Sequence, residues 1–317
     1  SVTFSPDGSR LATSCSDGTI KLWDLASRSE LRTLRGHNKW VNNVVFTPDG
    51  TKLVSGSDDG TVKIWELGES GGAVGLSAQA DTMRFWKGIA FALTAVFSPD
   101  GKLLATVSRG KDLLLWDVAA EQPIERLAGH TAHVNYAMFS PDGRLLASAS
   151  DDRTVRLWNV KERKEMTALD GHTAPVLVAA FSPDGRLLAS AGEDRTVRLW
   201  DVATEKSVAT FVGHTEAVLQ LAFTSHGRTL VSRGHDGMSF WSVEQREQTF
   251  QFPVQPRDFT PAVSPDGTTV TRNHVTNTTI AVLWDSTSDR QRAVLAGHSG
   301  LILQVTYSPD GSLIATA

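Results

Sequence analysis

The chain has 317 residues, 40% hydrophobic and 21% charged, with 31 Lys+Arg against 35 Asp+Glu and a formal net charge of −4. This is the composition of an ordinary globular protein, and it excludes the basic footprint that phosphate contacts with nucleic acid require. The single cysteine, Cys15, excludes an internal disulfide and fits a reducing, cytoplasmic setting, while the longest apolar run, 88–97, is too short to span a bilayer.

In chain order, the first landmark is an apolar residue followed by Ser/Thr-Pro-Asp-Gly, at Phe4. It returns at Phe46, Phe97, Phe139, Phe181 and Tyr307, with degenerate forms at Phe223 and Val263, in steps of 42, 51, 42, 42, 42, 40 and 44. A second landmark, a Trp ending an alternating run, falls at Trp23, Trp65, Trp116, Trp158, Trp200, Trp241 and Trp284. The long step of 51 contains GESGGAVGLSAQAD (68–81), whose Gly/Ser/Ala content reads as a flexible surface insertion or a binding loop. The clearest unit starts with VNYAMF (134–139), an apolar-rich strand of partial alternation. SPDG follows as a type I turn, with Pro141 where its fixed φ already suits the turn and Gly143 at its end. RLLASAS (144–150) is the second strand, DDR a tight turn, TVRLWNV (154–160) a third strand of period two, and KEMTAL (164–169) a more exposed fourth. Residues 141–160 recur at 183–202 with only three of twenty positions changed. No stretch carries a sustained helical period with caps, so the reading is all-β.

Four short strands per 40–45 residues are the blade of a β-propeller. The pattern GH…FSPDG…LASASDD.TVRLWD resembles the WD-repeat (Trp-Asp repeat) family over essentially the whole chain. The Trp-Asp dipeptide stands at Trp23-Asp24, Trp116-Asp117, Trp200-Asp201 and Trp284-Asp285, and drifts to Glu66, Asn159 and Ser242 elsewhere. The expected architecture is seven four-stranded antiparallel blades at about 1–37, 38–88, 89–130, 131–172, 173–214, 215–254 and 255–298. Two surplus strands in 299–317 would begin a further, incomplete repeat. Both ends cut into repeat units, so the chain is expected to be part of a longer polypeptide.

Within this frame a Ser, a His and an Asp recur at fixed distances from the Trp: His37, Ser55, Asp59 and Trp65; His130, Ser148, Asp152 and Trp158; His172, Ser190, Asp194 and Trp200; His214, Ser232, Asp236 and Trp241. Taken singly, such a set is the raw material of nucleophilic catalysis. A catalytic constellation is needed once, however, whereas this one recurs in four units. The resemblance implies a buried hydrogen-bonded chain from Trp through Ser and His to Asp, tying the loop before the first strand to the turn between the second and third. The third unit has Gly88 and Gly110, and the seventh Val254 and Thr278, where His and Asp are expected; those blades should be softer.

The resemblance also implies that partners dock where the innermost strands begin. Those positions, three and five residues after each GH His, include Trp40 and Asn42, His133 and Asn135, Leu177, Leu219 and Leu303; in units without GH they are Phe91 and Leu93, then Arg257 and Phe259. The residue before each turn Asp, or its counterpart, should face the same way: Asp58, Arg109, Asp151, Glu193 and His235. Apolar side chains ringed by acids read as an interface for a protein or peptide with basic residues. The alternative is that the Leu and Phe side chains plug the channel. The nine His and one Cys give no zinc spacing, and no phosphate or dinucleotide fingerprint appears, so no metal, cofactor or catalytic residue is assigned. The leading expectation is a non-catalytic scaffold or sensor module; similar repeats are appended to bacterial signalling proteins such as kinases. The rival expectations are a propeller enzyme with its site in the channel mouth, and a self-associating structural array.

Overall fold

The computed structural model describes residues 1–59, 61–67, 83–86, 94–107, 110–120, 122–224, 226–253, 262, 264, 268–274, 277–285, 290–299, 302 and 305–316. Every regular element among them is a β-strand. The strands form antiparallel sheets arranged as the blades of a seven-bladed β-propeller, with two extra C-terminal strands.

The fourth blade shows how sequence makes the unit. Its strands Val134–Phe139, Leu145–Ser150, Val155–Asn159 and Lys164–Leu169 lie side by side in chain order. The first two are joined by a turn in which Gly143 N–H donates to the Ser140 carbonyl and Gly143 has φ 70°, a conformation open to glycine at no steric cost. Asp142 accepts from Ser140 Oγ and from Arg144 N–H, and the Ser140 hydroxyl oxygen accepts from Leu145 N–H. The same bonds recur around Ser5, Thr47, Ser98, Ser182 and Ser308, which is why Ser/Thr-Pro-Asp-Gly is spelled so often.

The apolar core lies between blades. Leu113, Leu115 and Leu127 of the third pack on Val134, Ala137 and Phe139 of the fourth; Ala147, Val155 and Leu157 of the fourth pack on Val176, Ala179 and Phe181 of the fifth. Turns interlock as well. A side chain on Gly101, Gly143 or Gly227 would press against Pro48, Pro99 or Pro183 of the preceding blade, and Gly50 and Gly185 stand the same way to Pro6 and Pro141. The pair Val305–Tyr307 and Ile314–Thr316 packs through Ile302 and Val305 on Ala281 of the seventh blade, and Val305–Tyr307 also lies beside the first strand, Val2–Phe4.

Candidate protein-interaction face

In an up-and-down blade the turns between first and second strands, and between third and fourth, share one face of the ring. The turn between second and third strands and the loop leading to the next blade share the other. The recurrent His and Asp occupy this second face.

Around His130 the geometry is complete. Trp158 Nε1–H donates to Ser148 Oγ at 2.8 Å, Ser148 and His130 Nε2 are 2.7 Å apart, and His130 Nδ1 and Asp152 are 2.7 Å apart. The corresponding distances are 2.8, 2.7 and 2.8 Å around His37, 2.8, 2.8 and 2.7 Å around His172, and 2.7, 2.7 and 2.7 Å around His214. Direction follows from chemistry: indole can only donate and an ionised carboxylate can only accept. The serine hydroxyl therefore donates to Nε2, and Nδ1–H donates to the aspartate. A second proton on the imidazole would leave the serine proton without an acceptor. Burial accordingly pushes His37 and His130 below the usual histidine range, against the pull of Asp59 and Asp152. Burial alone would raise those two aspartates. Bonds from Thr61 and His37 to Asp59, and from Thr154, Thr131 and His130 to Asp152, overturn it and hold each at about 2.

This order of bonds is also that of a hydrolase triad, but the nucleophile is closed off. Ser55, Ser148, Ser190 and Ser232 are all fully buried, and each hydroxyl oxygen already accepts from a tryptophan. Partial versions occur elsewhere: Trp23 donates to Thr13 at 3.1 Å, Trp116 to Thr106 at 2.9 Å, and His298 Nε2 lies 2.6 Å from Thr316 Oγ1. Of the departures from the pattern, Gly88 and Val254 lie outside the described residues, as does the insertion 68–81.

Beside three of the networks the residue before the turn Asp is bonded to the start of the innermost strand. Asp58 N–H donates to the Trp40 carbonyl, Asp151 N–H to that of His133, and Glu193 N–H to that of Pro175. The positions five after the histidine, Asn42, Asn135, Leu177 and Leu219, are each the extra residue of a β-bulge in the innermost strand. A bulge re-aims its side chain out of the ladder. Asn42 thus reaches Asp58 at 2.8 Å, and Asn135 reaches Asp151 at 2.7 Å and the Val176 carbonyl of the next blade at 2.9 Å. His133 Nδ1 sits 3.0 Å from Asn135 Oδ1. Trp40 is 61% exposed, and Asp58, Asp151, Glu193 and His235 are exposed. Among the described residues Asp58, Asp151 and Glu193 make no ion pair. Phe91, Leu93, Arg109, Arg257, Phe259 and Leu303 lie outside the described residues.

The bulges escape a reading by strict alternation, yet the sequence carries their mark. In the second and fourth blades the buried positions of this strand are spaced three and then two apart: Val41, Val44 and Phe46; Val134, Ala137 and Phe139.

A family model described as "WD domain, G-beta repeat" matches residues 1–24, 28–66, 83–117, 121–159, 163–201, 205–238 and 289–317. Its two longest gaps fall on the insertion and on the stretch containing Val254 and Thr278. Among curated proteins, an uncharacterized WD repeat-containing protein of Nostoc sp. is 50% identical over 42 residues, 13% of this chain and 3% of its own length. The probable serine/threonine-protein kinase PkwA of Thermomonospora curvata is 55% identical over 40 residues, 13% of this chain and 5% of its own length. The nuclear distribution protein PAC1-2 of Postia placenta is 47% identical over 38 residues, 12% of this chain and 9% of its own length. Each similarity spans about one repeat and a small fraction of the relative.

Proposed function

Because the chain belongs to the WD-repeat family, whose propellers are generally platforms for protein interaction, we propose that it is a non-catalytic scaffold or sensor module. It binds a protein or peptide carrying basic residues on the face of Trp40, Asn42, Asp58, His133, Asn135, Asp151 and Glu193, and it works within a cytoplasmic signalling protein. The observation that carries the reading is the repeated clamp of bulge and turn. It holds Asp58 and Asp151 by neutral asparagines, with no ion pair to either among the described residues, and the exposed Trp40 is bonded through its carbonyl to Asp58. Trp supplies large contact area with few rotors to immobilise, and fixed carboxylates select a cationic partner and speed its approach. A non-catalytic role is supported by the occlusion of every serine in the recurrent triads.

The test is affinity capture with the parent chain, Trp40→Ala and Asp151→Arg as parallel baits. The expected outcome is a partner held by the parent and lost at least tenfold by both variants, whose melting temperatures match the parent because both side chains are exposed. Undiminished capture by both variants would place the partner elsewhere.

A further inference from the structure

The opposite face carries a separate feature. A cleft of about 790 Å³ opens between the third, fourth and fifth blades, floored by Leu103, Ile124, Leu145, Val160, Met166 and Val202. Each of these side chains is only partly buried, and Met166 is 45% exposed.

The copies disagree here in a regular way. The second strand, or the residue beside it, opens on Leu103, Leu145 and Leu187 in blades three to five. In blades one, two, six and seven the same register holds Arg10, Lys52, Thr229 and Thr269. The fourth strand carries a bulge opposite the blade Trp, which turns one residue out of the ladder: Ile124, Met166 and Val208 in blades three to five and Leu31 in blade one, but Thr249 and Arg292 in six and seven. Among the described residues both positions are apolar together only in blades three to five, since blade one sets Leu31 beside Arg10; framework demands are the same in every blade, so they do not explain that coincidence in three neighbours. The rim is cationic. Lys161 and Arg163 line the cleft, are exposed, and make no ion pair among the described residues. The lining carboxylates Asp100 and Asp142 are engaged by their own turns.

We propose that this cleft is a second docking site, which takes an extended peptide segment of large apolar side chains flanked by aspartate or glutamate. The apolar residues fill the floor along the three blades, and the carboxylates meet Lys161 and Arg163. The charge preference is opposite to that of the first face, so the two sites select different partners.

The test is a phage-displayed library of random twelve-residue peptides, panned on the parent chain and in parallel on Met166→Glu and on the double variant Lys161→Glu/Arg163→Glu. These side chains are exposed, and unchanged melting curves establish that the variants fold. The proposal expects enrichment of acidic, apolar peptides on the parent. Affinity of a selected, fluorescein-labelled peptide should fall at least tenfold in each variant, and the double variant should show the weaker salt dependence. Enrichment of basic or purely polar peptides, no enrichment, or equal binding to all three proteins overturns it. So does sedimentation showing that the parent is a dimer and Met166→Glu a monomer, since a second copy would then occupy the cleft.

Discussion

At the scale of the residue, the His37–Asp59 and His130–Asp152 pairs act as fixed dipolar links rather than titrating switches at neutral pH. Ser148→Ala removes the atom that both Trp158 and His130 depend on, leaving a buried donor and a buried acceptor orphaned. A loss of about 2–3 kcal/mol is expected from one such site. Thr13→Ala, which strands only the partly exposed Trp23, should cost well under half as much; urea denaturation of the two variants measures the difference. The same links set the response to acid. His37 and His130 have folded pKa values below 6.5, so the unfolded chain takes up protons first and stability falls as pH drops below about 6.5. Asp59 and Asp152 are depressed from 3.8 to about 2, so their contribution is present above 3.8 and is lost between roughly pH 4 and 2. The urea midpoint should therefore be level above pH 7, decline below 6.5 and fall further below 4. A midpoint that stays level from pH 7 to 4.5 would contradict the buried, neutral histidines.

At the scale of the element, the strands and turns were legible because each is specified locally. Alternation marks the third strand, and Ser/Thr-Pro-Asp-Gly marks the turn before the second. The network was legible because strand lengths repeat: Ser lies ten residues before Trp in the copies of Ser55, Ser148 and Ser190, and nine before it in the unit of Ser232 and Trp241, which lacks one residue. The bulges at Asn42, Asn135, Leu177 and Leu219 were not read, since one extra residue in six leaves only a break in spacing. Nor did alternation reveal the bulges in the fourth strands, where the exposed pattern hides the shift. The bulge itself tolerates different side chains, as Leu177 and Leu219 occupy it in neighbouring blades. Asn135→Leu should therefore shift stability by no more than about 1 kcal/mol, while freeing Asp151 from its clamp. Thermal melts check the first effect, and a change in salt dependence of partner binding checks the second.

At the scale of the molecule, each blade presents one surface to the blade before it and a complementary surface to the blade after. Such head-to-tail contacts continue until the ring brings its ends together. That meeting is made by Ile302 and residues 305–316, wedged between the seventh blade and the first strand. Val305→Asp would put a charge into a buried apolar seam. A loss of about 3 kcal/mol or more is expected, with hydrogen exchange quickening first in the first and seventh blades; uniform quickening around the ring would show that the seam is not where it opens. The belt of prolines resting on glycines, from Pro6–Gly50 to Pro183–Gly227, has a consequence for heredity. Because these five junctions are cut to one template, a copying slip between near-identical stretches such as 141–160 and 183–202 adds or removes a whole blade whose neighbours already fit it. The gene can thus change the number and order of its binding surfaces in a single event, without first having to find new packing.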